Sequence, residues 1–580
     1  MPHPNHVPHG HCCTPHPAYA NLVDTSEGLP AEDAGAVVAE SDGEKHPTHI
    51  FIGTIITMAE ALPQAEALAI KHDKIIAVGA AADIEPLAGP LTKRIELGDR
   101  VLYPGLIEPH MHLWVTAINY HWIDCSSLAS RSLEEITRRL SAAAKTAKPG
   151  EWVLGKLFDP SLLEGSPGLT AVVLDKIAPD NPVFILNASM HFGYVNSKAL
   201  ELAGITKDTP DPAGGKIDRN PDGTPNGILG EMGAIAPMLK HIKSIKPVDI
   251  IRNIHAVTTD AAAVGVTTMR EAATGGLFGD KEITLLHALY RLGRLKTRLS
   301  LALIDENAQK WKPTKHAEPQ AGNDHVWVGA RKIVADGSNQ GGTGYLSQPY
   351  KGTDNRGALN LTPAELLERI RWCDANGWQL MIHANGDAAV DVVVDSYHTV
   401  LKDRSGTDLR HRIEHCSLIG SDTTLAKMAE VNVTPSFLIN HVYYWGKTLR
   451  DNFLGKERIH MLDRTASALK AGLKFTLHSD YNVSPINPLH YVKVAATRTM
   501  HDGGEVLNAD EKVSVYEALR AVTIDAAWQL NADDRLGSLA PGKAADLVIL
   551  DEDPQQVESE AIDGIKVVQT WLGGKVTYEG

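Results

Sequence analysis

The chain has 580 residues, 43% of them hydrophobic and 22% charged, enough to bury a large core and to build more than one domain. With 56 basic against 71 acidic residues the net charge is −15, and no basic run is dense enough to follow a phosphate backbone, so nucleic acid is not an expected partner. Five scattered cysteines imply no disulfide framework, no apolar run reaches the ~20 residues of a membrane span, and no secretory segment opens the chain; a cytoplasmic protein without a membrane partner is expected.

In chain order, residues 1–47 are rich in Pro, His and acidic residues without a sustained period, and are expected to form a flexible extension. Within it, "HPNHVPHGHCCTPHP" offers five histidines and two cysteines, ligand types able to hold a divalent ion loosely. From Thr48 short β-rich runs follow, "THIFIGTIITM", "EALAIKHDKIIAVG" and "RIELGDRVLYPG". The same texture returns in "GSLAPGKAADLVILDEDP" and "IKVVQTWLGGKVTYEG", so residues 48–100 and 531–580 are expected to meet in one small β-sandwich domain.

Between them, residues 101–530 alternate short β runs with helical stretches, the pattern of βα units and a parallel sheet. Eight candidate strands follow in order: "VLYPGLIEPHMH", "GVTTMREA", "RLSLAL", "ARKIVADG", "WQLMIHANGD", "HRIEHCS", "VTPSF" and "LKFTLHSD". Eight such units close an α/β (β/α)8 TIM-type barrel, whose site is built at the C-terminal ends of the strands. The helix before the fifth strand is clearly punctuated: Thr362 is a candidate N-cap, Pro363 takes the first helical position and Glu365 completes a capping box. Leu366, Ile370 and Cys373 then share one face, and Asn376-Gly377 stops the helix.

The chemistry gathers where these strands end. On a strand, residues i and i+2 point to the same side, so His110 and His112 project together into the barrel mouth as a chelating pair. His383, His415 and Asp480 end strands five, six and eight, and their spacing fits whole βα units of roughly 30 residues. Neutral imidazoles and a carboxylate suit zinc and its neighbours. Lys332 lies in the apolar run "VWVGARKIVADG" of strand four, where an unpaired ammonium is expensive to bury. Either a salt bridge to Asp336 or Asp480 relieves it, or carbon dioxide converts it to a carbamate able to bridge two metals.

These residues resemble a known family. "PGLIEPHMH", "RKIVADGS", "MIHANGD", "RIEHC", "HSD" and "GSLAPGKAADLVILD" look like the amidohydrolase superfamily, specifically its amidohydrolase family 3 branch, which includes N-substituted formamide deformylases; the resemblance covers about residues 48–580. It implies two divalent ions, zinc being the expected metal, with His110, His112 and Asp480 holding the more buried one, His383 and His415 the second, and carboxylated Lys332 bridging. It also implies a small-molecule amide substrate, attack by metal-activated water, Asp480 as general base and then general acid, and a possible homodimer.

About 150 residues separate strands one and two, far more than a βα connection needs. This insertion, about residues 115–260, resembles segments that the same branch places over its active site, which makes His191, Asn196, Glu231 and Asp159 candidate substrate-facing residues. Trp114, Phe158, Phe192, Trp311 and Tyr345 hint at an apolar or aromatic substrate group. Two other readings compete: a mononuclear deaminase, whose usual glutamate three residues beyond the strand-five histidine is here Gly386, and a metal-free scaffold homologue.

Overall fold

The computed structural model describes residues 46–128, 132–163, 168–212, 215–242, 245–305, 318–404, 406 and 408–580. The His-rich run near the N-terminus and Trp311 lie outside the described residues. At its centre is an eight-stranded parallel sheet: β1 (Leu106–Met111), β2 (Val266–Thr274), β3 (Arg298–Ile304), β4 (Val326–Val334), β5 (Leu380–Ala384), β6 (Arg412–His415), β7 (Thr434–Phe437) and β8 (Thr476–Leu477). Each strand pairs with the next in chain order, and a parallel bridge between Met111 and Tyr481, with His112 N donating to Tyr481 O at 2.6 Å, draws β8 and β1 together into a barrel. Helices between the strands, each burying one face, form the outer layer. The best punctuated, Pro363–Ala375, starts on the Thr362/Glu365 capping box and buries Leu366, Ile370 and Cys373, as its sequence predicts.

Both chain ends combine in a seven-stranded sheet that joins His49–Ile56, Gln64–Lys71, Lys74–Gly79 and Lys93–Pro104 to Leu547–Leu550, Val567–Leu572 and Lys575–Glu579. Phe51, Leu68, Leu102, Leu547 and Trp571 give it a core of its own. One boundary differs from the sequence reading. The run from Val101 is not a single barrel strand: Val101–Pro104 pair with Leu547–Leu550 in the end sheet, and the barrel begins after Gly105. The switch needs glycine, because a Cβ at Gly105 would meet the Thr267 Oγ1 at 2.2 Å.

The long segment between β1 and β2 folds as a six-stranded sheet with Leu140, Val153, Phe158, Leu174 and Ile185 in its own core. Its expected end at residue 260 also shifts. Helix Pro247–Ala263 packs on helix Leu113–Ile118, with Asn253 Nδ2 donating to Ala117 O at 2.8 Å, and leads directly into β2, so it belongs to the barrel layer. Among the described residues no helix is long and apolar enough to cross a membrane.

Candidate metal centre

The strand ends bring together side chains that are far apart in the chain. His110 Nε2 lies 3.4 Å, and His112 Nε2 3.1 Å, from Asp480 Oδ1, and Lys332 Nζ lies 3.3 Å from His110 Nε2. The ring of His415 is 5.0 Å from that of His110 and 4.6 Å from that of His383. All six residues are buried. His415 and Asp480 both hold left-handed backbone, at φ 62° and 54°, which turns each out of the regular strand just where it reaches the cluster.

Hydrogen bonding assigns the donor atoms. His110 Nδ1 pairs with Glu414 Oε2, leaving Nε2 to face Asp480 and Lys332. His383 Nε2 donates to Gly337 O at 3.0 Å, and its Nδ1 has no partner among the described residues. Neither nitrogen of His415 has one, nor has His112 Nδ1. Buried ring nitrogens without partners are costly unless something accepts their lone pairs. Burial also holds His383 and His415 neutral, the form that binds metals: with Lys332 it pushes His383 down to about 3, and with His383 it lowers His415. For Asp480 burial opposes ionisation, but His110 and His112 overcome it and hold the carboxyl well below the usual carboxylate range. The donor set therefore fits one or more divalent ions.

Supporting residues that the sequence reading passed over are just as well placed. Arg412 clamps Glu414 through Nε and, at 2.8 Å, through Nη2, and it also reaches Pro109 O and Ser436 Oγ at 3.0 Å, so a buried relay runs from Arg412 through Glu414 to His110. The ring of His478 stacks on His110 at 4.8 Å, and its Nε2 donates to Ser436 O at 3.1 Å. Alternation along "RIEH" and the "HSD" run contained both signals. Asp336 accepts from the backbone N–H groups of Tyr345, Asn385 and Gly386 at 2.9 Å, which ties the loop after β4 to the end of β5.

The expected substrate-facing residues divide. His191 Nδ1 is 2.9 Å from Glu231 Oε2, and Glu231 N donates to His191 O at 2.6 Å, so the two form a dyad carried by the insertion. Trp114 is buried two residues after His112, and its indole N–H has no partner among the described residues. Asp159 accepts from Ser161 and from Trp445 Nε1 at 2.8 Å. Two expectations are corrected. Asn196 caps helix Ser197–Leu202: its oxygen accepts from Val183 N and Ala199 N, and its amide donates to Ala178 O and Asn181 O, which uses all its hydrogen-bonding capacity inside the fold. Phe158 packs against Tyr194 in the core of the insertion, with ring centroids 4.8 Å apart. At Gly386 a Cβ would fall 2.0 Å from the Tyr345 carbonyl oxygen, so no carboxylate side chain can stand there.

A match to the Amidohydrolase family spans residues 93–578, most of the barrel and the end sheet. The chain belongs to the amidohydrolase family. Among amidohydrolase relatives, it is 28% identical over 536 residues to N-substituted formamide deformylase of Arthrobacter pascens, an alignment covering 89% of this chain and 95% of that one. It is 30% identical over 541 residues to Protein LONG AFTER FAR-RED 3 of Arabidopsis thaliana, covering 91% and 90%. The amidohydrolase fold is shared with an uncharacterized metal-dependent hydrolase from Pyrococcus horikoshii OT3, at TM-score 0.69 and 24% identity over 88% of this chain and 99% of that one.

Proposed function

We propose that the protein is a metal-dependent hydrolase of a C–N bond in an amide, N-acyl or N-formyl compound. The observation that carries this reading is the set of buried ring nitrogens of His112, His383 and His415 without partners among the described residues, in one cluster with His110 and the Asp480 carboxylate. His110, His112 and Asp480 would hold one ion and His383 and His415 a second, with Lys332, once carboxylated, as a further ligand; neutral nitrogen with carboxylate oxygen favours zinc. The chemistry that such ions would supply there, when bound, is polarisation of the scissile carbonyl and acidification of water. Asp480 Oδ1 takes a proton from the attacking water and returns it to the leaving nitrogen as the C–N bond breaks, giving a carboxylic acid and an amine. His191, oriented by Glu231, faces the substrate from the insertion. The similarity to a formamide deformylase supports the choice of bond, and the space taken by Tyr345 at Gly386 supports hydrolysis over deamination.

Metal content per chain, measured by elemental mass spectrometry after incubation with zinc and bicarbonate, tests this together with a screen of N-formyl and N-acyl amines. About two ions per chain and release of amine are expected, with Lys332→Ala losing metal and most activity. A metal-free protein that hydrolyses none of the screen would overturn the reading. Asp480→Asn is expected to lower turnover by about 10²–10⁴-fold while the fold is retained, and unchanged turnover would remove Asp480 from proton transfer.

A further inference from the structure

Beside the loop whose Gly337 carbonyl bonds His383 lies a cavity of about 470 Å³. Three segments remote in sequence build it: the insertion contributes Ser189, Phe192 and Ile228, the loop after β4 contributes Gln340, and Phe453 comes from the π-helical turn Leu449–Leu454 after β7. One of these segments touches the centre itself, and another carries His191. His191 N donates to Ser189 Oγ at 3.4 Å, and the loop that carries Gln340 is fixed by Gly337 O on His383 and by Asn339 Nδ2 on Asn385 O at 3.1 Å. The third is fastened across the cavity, where Trp445 Nε1 donates to Asp159 Oδ2 at 2.8 Å and Thr448 Oγ1 to Ser161 O at 2.9 Å.

The wall is mostly apolar. Among the described lining residues none is Lys, Arg or His, and Asp159 is the one with a charge. A carboxylate or phosphate would find no counter-charge there and would face an acidic neighbour. Gln340 Oε1 is buried without a hydrogen-bond partner among the described residues, an acceptor available to an N–H or O–H group. A cavity of about 150 Å³ holds one benzene ring, and pockets of about 300–1,000 Å³ hold ligands of drug size.

We propose that this cavity is the subsite for the larger substituent of the substrate and selects an uncharged, mainly apolar arm of one to two rings, with Ile228 and Phe453 setting its depth. The inference rests on the amide-hydrolase reading for the identity of the scissile bond. The test compares kcat/KM of the metal-loaded enzyme for N-methylformamide, N-(2-phenylethyl)formamide and the para-carboxylate of the latter. The phenylethyl compound is expected to lead both others. Ile228→Trp, which fills the cavity, is expected to cut the phenylethyl-to-methyl ratio by about 10-fold or more, and Phe453→Ala to shift preference towards a biphenylethyl arm. A ratio unmoved in both variants, or a preference for the carboxylate, overturns the proposal and leaves the hydrolase reading standing. If none of the formamides is cleaved, the N-formyl form of the hydrolase reading is what fails, and calorimetric titration with N-(2-phenylethyl)formamide decides the subsite: saturable binding lost in Ile228→Trp supports it, and absent binding overturns it.

Discussion

At His110 the Nδ1 proton is committed to Glu414, and that commitment decides which nitrogen faces Asp480. Arg412 makes this possible: burial disfavours charge on Glu414, but the guanidinium keeps its carboxyl below the usual range. Glu414→Gln is therefore expected to weaken metal binding by about 10–100-fold in chelator competition, and unchanged affinity would confine the relay to a structural role. His441 offers a second residue-scale test. Burial, with His478 beside it, pushes its imidazole down to about 3 from an ordinary 6.5. The unfolded chain takes up this proton near pH 6.5 and the folded chain only near pH 3, so the stability contribution is complete above 6.5 and is lost as the pH falls through that window. In chelator-treated protein, His441→Gln is expected to flatten the fall in Tm on acidification below pH 6.5, whereas a slope equal to wild type would exclude His441 from the linked groups.

Among the elements, the loop after β4 does the most to shape the centre. Asp336 anchors it to the end of β5, and the Tyr345 backbone rests on Gly386, whose φ of −75° is ordinary, so glycine is needed there for space and not for backbone freedom. Gly386→Ala is expected to push this loop off β5, with an overpacking cost of about 1–3 kcal/mol, seen as a lowered Tm and weaker metal retention through the displaced Gly337–His383 contact. A variant with wild-type Tm and metal content would show that the loop yields freely. Helix Pro363–Ala375 is the contrasting case. Its capping box and apolar face are local properties, so its sequence reports it correctly, whereas the switch at Gly105 depends on Thr267 across the sheet and leaves no local mark beyond the glycine itself.

Over the whole molecule, the end sheet is tied to the barrel by a buried ion pair. Arg298 of β3 reaches Asp546 through Nε at 2.6 Å and Nη2 at 2.9 Å, and the same carboxylate accepts from Gly573 N at 2.8 Å. Asp546→Ala leaves the guanidinium buried without its counter-charge, a loss of about 3–5 kcal/mol. Faster hydrogen exchange in Leu547–Leu550 and Val567–Leu572 than in the barrel strands is the expected signature, and uniform exchange would mean that the pair does not join the two units. Within the barrel, Arg270 bonds Gln379 Oε1 at 2.8 Å and Ser300 Oγ at 2.9 Å, so a buried guanidinium has its donors met by neutral acceptors.

The sequence by itself determined the barrel and the convergence of His110, His112, Lys332, His383, His415 and Asp480. Strand alternation and βα spacing are properties of the chain, and they send strand-end residues to one mouth whatever the loops do. The tertiary structure alone decided which neighbours those residues meet. The joining of Glu414 to His110, the stacking of His478 on His110 and the cavity walled by Ile228, Gln340 and Phe453 depend on segments remote in the chain sharing one space, while the capping role of Asn196 and the core position of Phe158 depend on how the strands of the insertion pack. Packing between such segments has no period along the chain, so only their folded arrangement fixes it.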